Sequence, residues 1–337
     1  MINRPRWKFP LLCAFLAMAL PLAAQKVRDY ERFTGVADSL RNRRTFIVLR
    51  RFRVSRQTRY FLLDPESLTT SVEDAENLRV SEEAWDSIKK RFAMSPYVEA
   101  MADAASNSGA LQNAGLTHFA AVAAGVTLTV DLCPSQKPMD RPLFTELIRE
   151  FGKEEKPVPI AIAVTGVWMK AHEPDLQWLR VLEKGGDVAI TWINHSYNHR
   201  WDRKLPLKEN FLLEKGTDLA AEILRTEAAM IERGMVPSVF FRFPGLVSDK
   251  NHVMAVLSYG LIPVGSDAWL AKKQWPKEGS IVLVHANGNE PIGIRRFLQL
   301  IGEERESIIH KQWLLFDLRE STVLQEKKKR GEKPPAT

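Results

Sequence analysis

Two of the chain's seven histidines, His195 and His199, stand four residues apart in the stretch Trp192-Ile193-Asn194-His195-Ser196-Tyr197-Asn198-His199. Two imidazoles at that spacing can converge on one divalent cation. The stretch directly follows Asp187-Val188-Ala189-Ile190-Thr191, which reads as a buried strand entered from Lys184-Gly185-Gly186. A lone H-x-x-x-H motif is a weak signal. Its weight depends on what the other strands bring to the same place.

From residue 116 to about 320, apolar runs of strand length alternate with amphipathic runs of helix length. The strand candidates are 126–131, 158–164, 187–193, 238–243, 261–265 and 280–285, with 313–318 as a further short one. Helices are predicted over 142–151, 174–184, 217–233, 249–259 and 292–302. In 217–233, Leu219, Ile223, Leu224, Met230 and Ile231 line one face, and Gly234 stops the helix. Near-continuous apolar strands alternating with helices predict a parallel sheet covered by helices. Six or more such units in about 200 residues favour an α/β barrel over an open sheet.

In parallel α/β folds, chemistry collects at the carboxyl ends of the strands. Here those ends carry Asp131 with Cys133, then Thr165-Gly166, then Asn194, His195 and His199. Next come Arg242-Phe243-Pro244-Gly245, Ser266-Asp267-Ala268-Trp269, and His285 with Asn287 and Asn289. Two carboxylates, three histidines and an arginine would face one mouth. Chance would rarely end six strands in polar groups.

In order and spacing, residues 116–305 resemble the NodB-homology polysaccharide deacetylases, carbohydrate esterase family 4. Thr129-Val130-Asp131-Leu132-Cys133-Pro134 stands where that family has T-F-D-D-G-P, and Ala161 to Gly166 resembles its A-T-F-F-V-x-G strand. Gly185 to His199 resembles G-H-E-I-x-N-H-[ST]-x-x-H, and Arg242 to Gly245 resembles R-x-P-Y. Ser266 to Trp269 is similar to the D-x-x-D-W region, and Leu283-Val284-His285 to L-x-H. The resemblance implies a deformed, incomplete (β/α) barrel of 6–8 strands. It also implies metal-assisted removal of N- or O-acetyl groups from a glycan.

Carried over residue by residue, the resemblance makes Asp131 the general base and His285 the general acid. Arg242 would pair with Asp131, and Asp267 would orient His285. His195 and His199 would hold a divalent metal, zinc in the first instance. Trp269 and Leu283 would line the acetyl pocket, and the Gly245 N–H would serve an oxyanion hole. Asn194 and Asn287, with Trp192 and Trp201, are the expected sugar contacts. One position departs sharply: the family's metal-binding second aspartate is Leu132 here, and leucine cannot ligate. Catalytic zinc usually has three protein ligands. Asp131 or Cys133 would have to supply the third, or the chain binds glycan as a pseudoenzyme with an incomplete metal site.

The remainder is less specific. The chain has 337 residues, 45% hydrophobic and 26% charged, with a formal net charge of +7. Residues 1–24 read as a signal peptide: Arg4, Arg6 and Lys8, then an apolar run from Leu11 to Leu22, then Ala23-Ala24. The mature protein is therefore expected to be periplasmic or secreted, with Cys133 as its one thiol and nucleic acid excluded as a partner. Residues 25–115 form a basic α+β region, with eight arginines and no acid between 41 and 60. Arg51 and Arg53 alternate there with Phe52 and Val54 as in a half-exposed strand, and 60–63 is a return strand. Such a face could meet an anionic envelope surface, or be a solvated sheet face. Ser81-Glu82-Glu83 is expected to cap a helix running to Phe92, and residues 321–337 are expected to be a disordered basic tail.

Overall fold

The computed structural model describes residues 26–120 and 123–332. The expected signal peptide, with Cys13, lies outside these residues. Among the described residues, no helix is long and apolar enough to cross a membrane.

The chain opens with a five-stranded antiparallel sheet: β1 (Val27–Ser39), β2 (Thr45–Val54), β3 (Gln57–Leu63), β4 (Thr70–Asp74) and β5 (Leu78–Glu82), in the order β4-β3-β2-β1-β5. Helices α1 (Trp85–Arg91) and α2 (Pro96–Ser106) follow. The alternation in β2 is as expected, with Phe52 and Val54 buried and Arg51 and Arg53 exposed. The expected cap at Ser81 is not made. Ser81 pairs with Val36 in the sheet, and α1 starts only at Trp85, after Ala84, because the β5 ladder runs through Glu82.

The second layer is a curled parallel sheet: β6 (Gly125–Leu132), β7 (Val158–Val164), β8 (Val188–Asn194), β9 (Phe240–Phe241), β10 (Ile262–Pro263), β11 (Ala268–Trp269) and β12 (Ile281–His285). The order is β10-β9-β8-β7-β6-β12-β11, and β13 (Leu314–Leu315) also pairs with β6. The ends β10 and β11 do not pair, so the barrel is incomplete, as expected. Helices α3 (Arg141–Phe151), α4 (Gly166–Ala171), α5 (Glu173–Lys184), α6 (Leu219–Glu232), α7 (Lys250–Ser258), α8 (Pro291–Glu303) and α9 (Arg305–Ile309) connect the strands.

Strand parity decides what reaches the site. Successive side chains of a strand point to opposite faces. Leu128, Val130 and Leu132 of β6, Ile160 and Ile162 of β7, and Val282 and Val284 of β12 pack with Leu143, Phe144 and Phe297 of the helices. The other parity takes Ala161, Ala163, Ile193 and Ile281 into a separate core with Ile47, Phe52, Phe61 and Tyr97 of the N-terminal region. That second parity, continued past the strand ends, yields Asp131 and Cys133, His195, and His285.

The N-terminal region and the barrel share this core, and a buried ion pair joins them. Arg50 donates from Nε and Nη2 to the Glu227 carboxylate on α6, at 2.7 and 2.9 Å, and from Nη1 to the Tyr259 carbonyl at 2.7 Å. Four further arginines of residues 41–60 are paired: Arg44 with Asp64, Arg51 with Glu31, Arg53 with Asp29, and Arg59 with Asp74.

The C-terminal segment corrects an expectation. Residues 318–329, assigned largely to a disordered tail, form α10 (Leu318–Lys329). Asp317 caps it by accepting from the N–H groups of Arg319 and Glu320. Thr322, Gln325 and Glu326 are buried, Gln325 accepts from the Ala120 N–H, and Lys329 pairs with Asp103 of α2. Composition alone misleads here because the segment is ordered by tertiary partners.

A carboxyl group beside β13 makes stability pH-dependent. Glu155 accepts from the Leu315 N–H at 3.0 Å, and burial pushes its pKa up to about 7. The native state therefore keeps a proton that the unfolded chain releases near the ordinary carboxyl value. This contribution is full below that value and is lost as pH rises through about 7. Glu155→Gln, which cannot ionise, is expected to have a higher Tm than wild type at pH 8 and a near-equal one at pH 4. Thermal melts across that range check this; an equal offset at both ends would contradict it.

Candidate active site

The mouth at the carboxyl ends of β6, β8 and β12 is a cavity of about 650 Å³, lined by Cys133, Pro134, His199, Trp201, Phe211, Gly245, Trp269, His285, Asn289 and Glu290. Three donors, Cys133 Sγ and one nitrogen each of His195 and His199, lie within 4.8 Å of one another. Asp131, Cys133 and His285 form an overlapping group with the same closeness.

The His195 orientation is set by its neighbours. Nδ1 lies 2.8 Å from the Arg242 carbonyl, which accepts its proton, so Nε2 is left with a lone pair toward the site. Nε2 is 3.4 Å from Cys133 Sγ and 3.6 Å from Asp131 Oδ2. Burial lowers the His195 pKa and favours the neutral, ligating form. His199 sits at φ 49° beside His195, with ring centroids 4.8 Å apart. Its Nε2 is buried without a hydrogen-bond partner, as is Asp131 Oδ1. Burial raises the Cys133 thiol, but the adjacent His199 and His285 outweigh it and draw the pKa down to about 7. A thiol near that value is readily available as thiolate, the form that binds metal. Orphaned buried donors around a thiolate and two imidazoles fit a borderline-soft divalent ion better than magnesium or calcium.

This overturns the expected gap in the ligand set. Leu132 does not leave a hole in the site, because it points into the helix-side core with Leu128 and Val130. Asp131 and Cys133, the residues on either side of it, face the mouth, and Cys133 closes a three-donor cluster. The pseudoenzyme alternative rested on that gap.

The carboxylates are arranged differently from the sequence expectation. Arg242 is fully buried but makes no ion pair with Asp131; Nη2 donates to Thr129 Oγ1 at 2.9 Å, while Nε and Nη1 have no partner. Asp267 does not touch His285. It lies just before β11, level with Ile281 at the start of β12, where it contacts His118 Nδ1 at 2.9 Å and accepts from the Ile281 N–H. His285 is at the other end of β12.

The carboxylate beside His285 is Glu290, which sequence reasoning missed. Glu290 Oε2 is 2.9 Å from His285 Nδ1, out of line for a hydrogen bond, and accepts from Trp269 Nε1 at 2.8 Å. Burial works against a charged His285, but Cys133, Glu290 and Asp131 outweigh it and hold its pKa well above the ordinary imidazole value. The same contact holds Glu290 low, against its burial.

A second carboxylate, Glu222 on α6, was also missed. It accepts from the N–H groups of Tyr197 and Asn198 at 2.8 Å each, so it fixes the turn that carries His199. No apolar stripe set it apart, because Thr226 and Glu227 are buried on α6 as well.

The expected substrate contacts divide. Trp269, Gly245 and Trp201 line the cavity. Asn194, Asn287 and Leu283 do not. Asn194 is fully buried, donating to the Ile223 carbonyl and accepting from the Ser196 N–H. Asn287 donates to the Cys133 carbonyl at 2.9 Å and so pins the ligand loop. Leu283 packs beneath Trp269 with Leu246. Trp192 faces the helix layer and bonds Glu183. Strand parity accounts for Trp192 and Asn194, which alternate with Ile193 and His195, whereas Leu283 shares the parity of His285 and is covered by Trp269 and Leu246.

Phe211 enters from the long connection after β8. Its φ of 57° is costly for a bulky side chain, on the order of 1–3 kcal/mol. Asn210 holds it there, accepting from the Phe211 and Asp202 N–H groups.

No family model matches the chain. Among solved structures, it is similar to a family 4 carbohydrate esterase from Bacillus anthracis, at 16% identity and a TM-score of 0.46 over 68% of this chain and 92% of that one. It is also similar to the peptidoglycan deacetylase PdaC from Bacillus subtilis, at 16% identity and a TM-score of 0.41 over 62% and 94%. A third is a CE4 family pseudoenzyme from Bacillus anthracis, at 13% identity and a TM-score of 0.41 over 61% and 68%.

Proposed function

We propose that this chain is a metal-dependent hydrolase that removes acetyl groups, N-linked in the first instance, from a glycan. The observation that carries the reading is the convergence of Cys133, His195 and His199 with Asp131 and His285; of these, Cys133, His199 and His285 line the cavity, and Asp131 and His195 are buried behind them. Cys133, His195 and His199 would hold a divalent cation. Such an ion supplies Lewis acidity toward a carbonyl oxygen and makes hydroxide available near neutral pH.

The chain's own groups supply the proton transfers. Asp131 would accept a proton from the attacking water, a role supported by its Oδ1 being without a hydrogen-bond partner. His285, whose pKa is raised, carries a proton near neutral pH and gives it to the leaving nitrogen. Glu290 stabilises the charged ring in the role first assigned to Asp267. The Gly245 N–H is the proposed oxyanion donor, and Trp201 and Trp269 offer faces on which sugar rings stack.

Export to the cell envelope follows from the basic and apolar pattern of residues 1–24. Docking of the arginine-rich sheet on an anionic surface is the weaker part of the reading, since five of its eight arginines are ion-paired within the protein.

His285→Ala and Asp131→Asn are each expected to lower acetate release from N-acetylated oligosaccharides by about 10²–10⁴-fold, with Tm within a few degrees of wild type. Wild-type turnover in either variant would show that its assigned role is wrong.

A further inference from the structure

We propose that Phe211 is the specificity-determining residue of this site, limiting the acyl group that can lie beside the donor cluster to one of about acetyl size. The inference rests on the deacylating function proposed above and adds to it which residue measures the acyl chain.

The ring of Phe211 is a wall of the cavity, next to His199 and Gly245. Its centroid is 5.6 Å from that of His199, with the planes at 89°, so the ring stands against one of the three donors. The backbone is built to hold the ring there. Phe211 has φ 57°, and Asn210 fixes the turn with Nδ2 bonds to the Asp202 and Leu205 carbonyls. Space is cleared on the opposite side as well. A Cβ on Gly245 would come within 2.5 Å of the Phe211 ring, and Gly245 itself has φ 61°. Two left-handed residues from separate loops thus make one ring fit beside a donor. Leu283, the residue first expected to line the acetyl pocket, is not part of this wall.

An apolar wall close to the reacting carbon accommodates a methyl group but must be displaced by a longer chain, and such displacement is unfavourable in a packed site. Hydrophobic pockets commonly discriminate by about 10–200-fold per methylene. The effect should therefore appear as a ratio between acyl lengths.

The test compares acetohydroxamate with butyrohydroxamate for binding to the metal-loaded full chain. It also compares hydrolysis of p-nitrophenyl acetate with that of the butyrate. Wild type is expected to favour the acetyl member in both. Phe211→Ala should shrink each ratio by about tenfold or more, and Phe211→Leu should fall between, with melting curves confirming folded protein. If the alanine variant does not fold, the leucine variant carries the comparison. Unchanged ratios in a folded variant would overturn the proposal, as would wild type that binds neither hydroxamate or does not discriminate. Hydroxamate discrimination that depends on Phe211, in a protein that hydrolyses no acyl substrate, would leave this proposal standing and remove the deacetylase reading.

Discussion

Cys133→Ser is expected to weaken binding of a divalent transition metal by on the order of 100-fold or more. Changes one shell further out already cost about 10–100-fold, and here a donor itself is lost. Among the described residues the thiol is the only soft donor at the mouth, and it closes the group formed with His195 and His199. Its backbone carbonyl is held by Asn287, so serine should keep the loop in place while losing the thiolate. Dialysis against a competing chelator, followed by metal analysis, reads the difference. The variant should emerge almost metal-free under conditions where wild type retains about one ion per chain. Equal retention in the two proteins would move the site off Cys133, and Asp131 with the two histidines would be the remaining donor set.

Arg50→Met is the second large expected effect, and it concerns the frame rather than the chemistry. Arg50 and Glu227 are both buried at the junction of the N-terminal sheet with α6, and Tyr30 also donates to the carboxylate, at 3.1 Å. Removing one partner leaves a buried charge uncompensated, which costs about 3–5 kcal/mol. In a chain of this size the Tm should fall by on the order of 10 °C. Replacing both residues with apolar ones should recover much of the loss, because the pair's own net stabilisation is small. A single variant that melts with wild type would mean that Glu227 becomes protonated or solvated at no cost. Because α6 also carries Glu222, loss of this junction should loosen the His199 turn before the barrel itself unfolds.

The barrel was legible because its strands are apolar on both faces and its helices are periodic. That pattern placed Asp131, His195 and His285 at one end of one sheet. What it could not supply was the direction from which other groups arrive. Asp267 was assigned to His285 through the resemblance of Ser266–Trp269 to D-x-x-D-W. It lies just before β11, however, level with the start of β12 rather than with the end that carries His285. Glu290 and Phe211 reach the mouth from loops, where no periodicity announces them. Leu132 and Cys133 show a different lesson. Alternation along β6 puts Asp131 on one face and Leu132 on the other, so the place of Leu132 in the helix-side core was legible from strand parity, while Cys133 lies just past the strand end. The tail shows the limit of composition: Glu326 is a polar, acidic residue, yet it is buried against partners that no local pattern reveals.

In the proposed function, the cluster at the barrel mouth removes acetyl groups with the help of a bound cation. Acetate release from N-acetylated oligosaccharides, measured on one preparation as isolated, after chelation and after metal is restored, tests it most directly. Release by the metal-loaded protein, its loss on chelation and its return on reloading are expected. Release that persists unchanged after the metal has been removed, or no release at any metal content, would contradict the proposed function.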